Sequence, residues 1–212
     1  MMPLTRRKFL TLTASSVAAP ALALPVDMAT QWTGKAMGAD VALNFHNTFG
    51  AARDDIDAVV SLLRSIEQRF SLYDPTSQLS RLNRQKSLAV DQEFLDLFTL
   101  SKTVHNATGG IFDPTIQTLW EALAADQSVS QARAQVGFDQ VLAKGNVLHL
   151  GSHQSLSFNG IAQGYATDVI RTELAARGYN HVLINMGEYS AQGGPFVLGV
   201  QDPKHGRLGT VS

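Results

Sequence analysis

The stretch Asn159-Gly160-Ile161-Ala162-Gln163-Gly164-Tyr165-Ala166-Thr167-Asp168 carries the strongest chemical signal in the chain. Two glycines in the first turn of a helix cost about 1 kcal/mol each relative to alanine. A sequence accepts that cost where a side chain would block something approaching the backbone. A helix N-terminus with bare N–H groups suits a phosphate or pyrophosphate. The competing reading is close packing of helix on sheet, and this stretch alone does not separate the two. Asn159 has the side chain of an N-cap. Apolar Ile161, Tyr165, Val169 and Leu174 follow at three- to five-residue steps, and Gly178 supplies a C-terminal stop. Ser155 to Phe158 reads as a strand leading into this helix.

Four other places have residue types that could contact a ligand. Asp113 lies in Gly109-Gly110-Ile111-Phe112-Asp113-Pro114-Thr115, where it either caps the following helix or lines a pocket. The two glycines before it would let a flat ligand lie against bare backbone. Tyr73, beside a turn, either covers the core edge or stacks on an aromatic ligand. Met37, before Gly38, is a core filler or a soft apolar wall for a heterocycle. The six histidines are scattered, and His149 and His153 straddle a turn at Gly151, which argues against a zinc site. The chain has no Gly-x-Ser-x-Gly elbow and no Walker phosphate loop, and Gly160 and Gly164 do not complete a dinucleotide fingerprint.

The elements that must position these residues can be read in order. Trp32 to Phe45 alternates as a strand or hairpin broken at Met37-Gly38-Ala39-Asp40. Asp54 to Phe70 is an amphipathic helix with Ile56, Val59, Val60, Leu63, Ile66 and Phe70 on one face. Tyr73 to Ser77 is a turn, and Ser80 to Asn83 begins a short polar segment. Asp91 to Thr108 is a second helix, with Phe94, Leu95, Phe98 and Val104 inward and Gly109-Gly110 as its stop. Asp113-Pro114 opens a third helix carrying Ile116, Leu119, Trp120 and Leu123. A short helix is expected over Ser130 to Val136, ending at Gly137. Val141 to Leu150 is a hairpin turning at Lys144-Gly145-Asn146. Strands are expected at His181 to Met186 and Phe196 to Gln201, with another beginning at Thr210-Val211-Ser212. No internal repeat or linker interrupts the pattern. The expectation is one α+β domain, a mixed or antiparallel sheet with packed helices.

The 212 residues hold no cysteine, which excludes a disulfide framework, a thiolate metal site and a cysteine nucleophile. Residues 1–23 read as a twin-arginine export signal: Thr5-Arg6-Arg7-Lys8-Phe9-Leu10, a mildly apolar stretch to Leu24, and a small-x-small cleavage site at Ala21-Leu22-Ala23. The apolar stretch is too short and too polar to span a bilayer. Without Arg6, Arg7 and Lys8 the mature domain, residues 24–212, has 14 basic against 18 acidic side chains, a charge of −4. That balance argues against nucleic acid as a partner. The expected destination is the periplasm.

Five segments in order, Met37-Gly38, Phe70-Ser71-Leu72-Tyr73 with Ser80-Arg81-Leu82-Asn83, Ile111-Phe112-Asp113-Pro114-Thr115, Gly160-Ile161-Ala162-Gln163-Gly164-Tyr165-Ala166 and Gly199-Val200-Gln201-Asp202-Pro203, resemble the ApbE family of bacterial FAD:protein FMN transferases. The resemblance runs over essentially the whole mature chain. It implies Mg²⁺-dependent transfer of FMN from FAD to a threonine or serine hydroxyl of a target flavoprotein, releasing AMP. It also implies that Met37, Tyr73, Ile111, Phe112 and Asp113 contact the flavin nucleotide, and that Gly160 offers a backbone oxygen to the metal. Ser157 and Gln163 stand where many members have Asp and Lys, and the resemblance implies that they too contact the bound nucleotide. The Gln form is similar to accessory proteins of nitrous oxide reduction, which flavinylate a membrane partner. The family pattern continues past Asp202-Pro203 with a Thr-Ser-Gly segment, a His-His-x-x-Asp-Pro-x-Thr-Gly segment and an acidic metal-binding stretch, none of which is in this sequence. The chain, which lacks most side-chain metal ligands, is therefore expected to be a fragment of a longer reading frame, with a shortened, inactive relative as the alternative. Two other activities stay open: carriage of FAD without catalysis, and hydrolysis of FAD to FMN and AMP.

Overall fold

A computed structural model describes residues 30–46 and 51–211. The twin-arginine segment lies outside them. The chain first makes a hairpin, β1 (Thr30–Ala36) and β2 (Ala39–Phe45), in full antiparallel register from Thr30↔Phe45 to Ala36↔Ala39. Its two turn residues, Met37 (φ 52°) and Gly38 (φ 74°), both have left-handed backbone. That is what a two-residue hairpin turn requires, and it suits glycine better than methionine.

Helix α1 (Arg53–Phe70) follows, buried along Val59, Leu63, Ile66 and Phe70 as its apolar stripe predicts. Next come α2 (Gln78–Gln85), β3 (Ser87–Ala89) and α3 (Gln92–Ala107). Ser77 caps α2 by accepting from the Ser80 N–H, and Asp91 caps α3 by accepting from the Phe94 N–H. Pro114–Ile116 form a 3₁₀ turn running into α4 (Gln117–Ala124), followed by α5 (Val129–Arg133) and a 3₁₀ turn at Phe138–Gln140. Strands β4 (Leu142–Lys144) and β5 (Val147–His149) make the expected hairpin, and β3 pairs on the other side of β5. Helix α6 (Ala162–Ala176) leads to β6 (Val182–Asn185), β7 (Tyr189–Gln192) and a hairpin of β8 (Leu198–Asp202) and β9 (Gly206–Val211).

The main sheet has the order β1-β2-β6-β7, antiparallel throughout. One face carries Val41, Leu43, Phe45, Val182 and Ile184, all at most 1% exposed. Helices α1 and α6 pack on each other, α1 also on β1 and α6 on β6 and β7, so the core lies between this sheet and these helices. Phe70, Phe94 and Phe158 form its aromatic centre, with ring centroids 5.3–5.8 Å apart and each ring at most 2% exposed. Each such pair adds about 0.5–1.5 kcal/mol beyond area burial. This is the α+β domain that the sequence pattern implies.

Several expectations change. Ser155 to Phe158 is not a strand, because no neighbouring strand takes its backbone; side chains do. Asn159 does not cap α6, which starts at Ala162 after Ile161 with no side-chain cap. Ser80 to Asn83 is the middle of α2, which is anchored by only two buried residues, Leu79 and Leu82. On α4 the buried residues are Thr118 and Ala122, while Ile116, Trp120 and Leu123 are 38–56% exposed.

Candidate functional site

The glycine-opened helix is held in place by side chains on the segment before it. Asn83 of α2 grips Leu156 at both ends: its Nδ2 donates to the Leu156 carbonyl (2.8 Å) and its Oδ1 accepts from the Leu156 N–H (2.7 Å). Thr118 of α4 accepts from the Ser155 N–H at 2.9 Å and donates to the His153 carbonyl at 3.2 Å. The Ser157 N–H donates to the Pro114 carbonyl at 2.8 Å. Lys86, at the left-handed end of α2, donates from Nζ to the Gln154 carbonyl at 2.7 Å, and burial lowers its pKa. With Leu156 and Phe158 fully buried, the backbone of this irregular segment is paired by these groups in place of a neighbouring strand.

The Phe158 carbonyl then accepts from both the Ile161 and Ala162 N–H groups, at 2.9 and 2.7 Å. The next two N–H groups, of Gln163 and Gly164, have no acceptor among the described residues. They are two of the four unpaired donors that open any helix. Gly160 is exposed beside them, and a Cβ there would lie 3.4 Å from the Phe112 ring. A Cβ at Gly164 would lie 3.0 Å from a carboxylate oxygen of Glu188, tighter than side chains normally meet. Gly164 faces only the end of the exposed Glu188 side chain, and Gly160 leaves bare backbone facing an aromatic ring.

Phe112 sits in a loop that α3 holds from behind. The Thr108 hydroxyl accepts from the Phe112 N–H at 3.1 Å, and the His105 Nδ1 bonds the Phe112 carbonyl at 2.7 Å. The carbonyl can only accept, so Nδ1 carries the proton. Immediately after, Asp113 Oδ1 accepts from the Thr115 N–H (2.8 Å) and hydroxyl (2.5 Å), while Oδ2 accepts from the Phe138 N–H (3.1 Å). The Thr115 oxygen in turn accepts from the Gly137 N–H at 2.8 Å. Asp113 thus caps the 3₁₀ turn and ties it to the Gly137–Phe138 loop, with only 12% of its side chain exposed. Ile111, two residues earlier, is 90% exposed.

The remaining expected site residues are Tyr73, Ser157, Gln163 and Met37. Tyr73 is 84% exposed on an open groove of about 360 Å³ that it shares with Asn83, Arg84, Gln117, Glu121 and Ser155. Ser157 turns its hydroxyl to the Asn159 N–H at 3.3 Å. The Gln163 amide lies under Gly187, where a Cβ would be 3.1 Å from its nitrogen. Met37 stands apart at the hairpin tip, its N–H donating to the Glu67 carboxylate of α1. A larger open concavity of about 460 Å³ on the main sheet, lined by Thr33, Lys35, Asp40, Ala42 and Asn185 among others, contains none of the expected site residues. The structure thus brings Phe112, Asp113, Ser157 and Gly160 together across the α3–α4 and 155–160 segments, with Ile111 exposed next to Phe112, while Met37 is partly buried against the core.

Sequence reasoning missed Asn83 as a structural grip, and His105, Thr108 and Glu188 altogether. His105 had one visible signal: it continues the inward stripe of α3 after Phe94, Leu97, Phe98 and Ser101, where a polar ring needs a buried partner. Tyr165 lies at the same helix opening, and burial pushes its hydroxyl above the usual range, with Asp96 and Glu93 acting the same way. That disfavours the tyrosine as a base. No group of three or more His, Asp or Glu side chains able to hold a metal ion occurs among the described residues, and the Gly160 carbonyl alone does not make a metal site.

Comparison with known proteins places this arrangement. The ApbE family model matches residues 28–212. Among solved structures, the apo flavinyl transferase ApbE of Pseudomonas stutzeri superposes with a TM-score of 0.77 at 23% identity, over 87% of this chain and 65% of that one. The flavin transferase ApbE of Vibrio cholerae gives 0.76 at 20% identity, over 85% and 67%. The ApbE protein of Thermotoga maritima gives 0.77 at 21%, over 86% and 67%. At these identities the likeness establishes the fold, and this chain spans about two thirds of each relative. No curated protein sequence matches it. On the strength of a family match that covers every described residue, the chain belongs to the ApbE family.

Proposed function

We propose that this protein transfers the FMN part of FAD to a threonine or serine hydroxyl of a target flavoprotein. The hydroxyl oxygen attacks the phosphorus of the FMN half, the pyrophosphate bridge breaks, and AMP leaves with the bridging oxygen. The hydroxyl proton passes to solvent or to AMP. Transfer of this kind needs positioning and charge neutralisation more than covalent help from the protein. The single observation that carries the reading is the family match over residues 28–212.

The site geometry supports it in kind. Two unpaired N–H groups at the start of α6 suit a pyrophosphate, and exposed Ile111 with the half-buried Phe112 beside Gly160 suits a flat heterocycle. Mg²⁺ dependence is part of the proposal, as are twin-arginine export and action in the periplasm. The acceptor we propose is a flavoprotein subunit at the membrane. None of the described helices is long and apolar enough to cross a membrane itself.

The test is incubation with FAD and Mg²⁺, with and without an acceptor flavoprotein, followed by separation of flavins from protein. Protein-bound flavin that survives denaturation, with AMP released in equal amount, is the expected result. Free FMN with AMP would make the protein a hydrolase of FAD. Bound FAD recovered intact would make it a carrier, and no interaction with FAD would overturn the reading.

A further inference from the structure

We propose that His105 is a positioning residue for the flavin site, acting through the Phe112 backbone; the inference rests on the functional reading above. His105 is 7% exposed, near the end of α3, and its ring sits edge-on to Phe138 with centroids 5.5 Å apart. Its Nδ1–H donates to the Phe112 carbonyl at 2.7 Å, while Thr108, one turn on, takes the Phe112 N–H. Both polar groups of one peptide unit pair are thereby bound by side chains of one helix end. Backbone bonds from the Gly109, Gly110 and Ile111 N–H groups to Asn106, His105 and Thr108 hold the loop as far as Ile111, through two glycines with left-handed backbone (φ 60° and 84°), so the side-chain anchors extend that hold to Phe112.

The anchor sits where it matters for a ligand. It fixes Phe112, whose ring faces the bare backbone of Gly160, and it leaves Ile111 pointing outward. The charged groups facing His105 are Asp113 (Nδ1 to Oδ2 4.0 Å) and the exposed Asp139 (Nε2 to Oδ2 3.7 Å). Asp113 is already engaged by Thr115 and Phe138, so His105 is not needed to hold that carboxylate. What His105 alone supplies is the donor to the Phe112 carbonyl.

Two readouts test this on the whole chain: backbone hydrogen exchange of residues 109–113, and quenching of flavin fluorescence on titration with FAD. His105→Ala is expected to speed exchange in the loop and weaken FAD binding about tenfold, the scale of one lost hydrogen bond. His105→Asn places an amide nitrogen where Nδ1 stood and is expected to recover most of both. Thr108→Val removes the other anchor and gives the same direction if His105→Ala does not fold. Unchanged loop exchange in both deletion variants would overturn the clamp. Faster loop exchange with FAD binding equal to wild type would overturn its role in the site. A wild-type chain that binds no FAD would refute the functional reading and, with it, the clamp's role in that site.

Discussion

Ile111 and Asp113 are two residues apart in one motif, yet they belong to opposite regions of the molecule. The first is 90% exposed and has no polar side-chain atom; the second is mostly covered and accepts three hydrogen bonds. The same contrast holds between Tyr73, 84% exposed on its groove, and Asn83, whose amide is spent on the backbone of Leu156. The exposed set costs the fold little and is free to meet a ligand. The bonded set builds the frame that aims it. A motif that identifies a family therefore mixes two kinds of residue, and only the structure separates them.

That contrast would be sharpened most by removing the frame's centre. Phe158→Ala empties the middle of the Phe70–Phe94–Phe158 cluster and is expected to cost about 3–5 kcal/mol in urea unfolding. A cost under 1 kcal/mol would mean that the segment before α6 is not anchored as described. Asp113→Ala comes next. It leaves the Thr115 and Phe138 N–H groups without their acceptor, and a loss of roughly 2–3 kcal/mol is expected by the same measurement. If stability held while FAD binding collapsed, Asp113 would belong with the exposed set after all.

A smaller effect is expected at the cap of α3. Burial works against the Asp91 charge, but the Phe94 N–H, the Gln78 amide and Arg69 outweigh it and hold the carboxyl below its usual range. A depressed carboxylate stabilises the fold above the unfolded-state value of about 3.9, and that contribution disappears as pH falls through the lower folded value. Wild-type stability should therefore fall on acidification below about pH 4 more steeply than that of Asp91→Asn. Identical acid limbs would show that the cap contributes no linked stability. At the bottom of the scale, Tyr73→Ala and Ile111→Ala should each change stability by less than about 0.5 kcal/mol. Both should nonetheless weaken FAD binding in a fluorescence titration; loss of stability instead would erase the contrast.

Much of the frame was legible before the structure. The apolar stripe of α1, the Asp91 cap and Gly109-Gly110 stop of α3, the Asp113-Pro114 start and the Lys144-Gly145-Asn146 turn all rest on local chemistry, and all are where the pattern puts them. Residues 155–158 misled because buried Leu156 and Phe158 imitate a strand's alternation. Their backbone partners are Asn83, Thr118 and Pro114, as many as 73 residues away, and no local pattern announces them. β3 has three residues, too few to carry a period, and α2 shows only Leu79 and Leu82 among polar neighbours. At the site, the motif residues could be named from the sequence; His105 showed only as a polar ring on the inward stripe of α3 and Thr108 not at all, because both act on the backbone of a residue already chosen.

The central claim is that bare backbone at Gly160, beside the unpaired N–H groups of α6, receives the FAD phosphates. It is tested most directly by titrating FAD into wild type and Gly160→Val while following flavin fluorescence, with an unfolding curve for each. The account predicts saturable binding in wild type and at least about a tenfold loss in Gly160→Val, with unfolding midpoints that coincide. Equal affinity in the two proteins would contradict it.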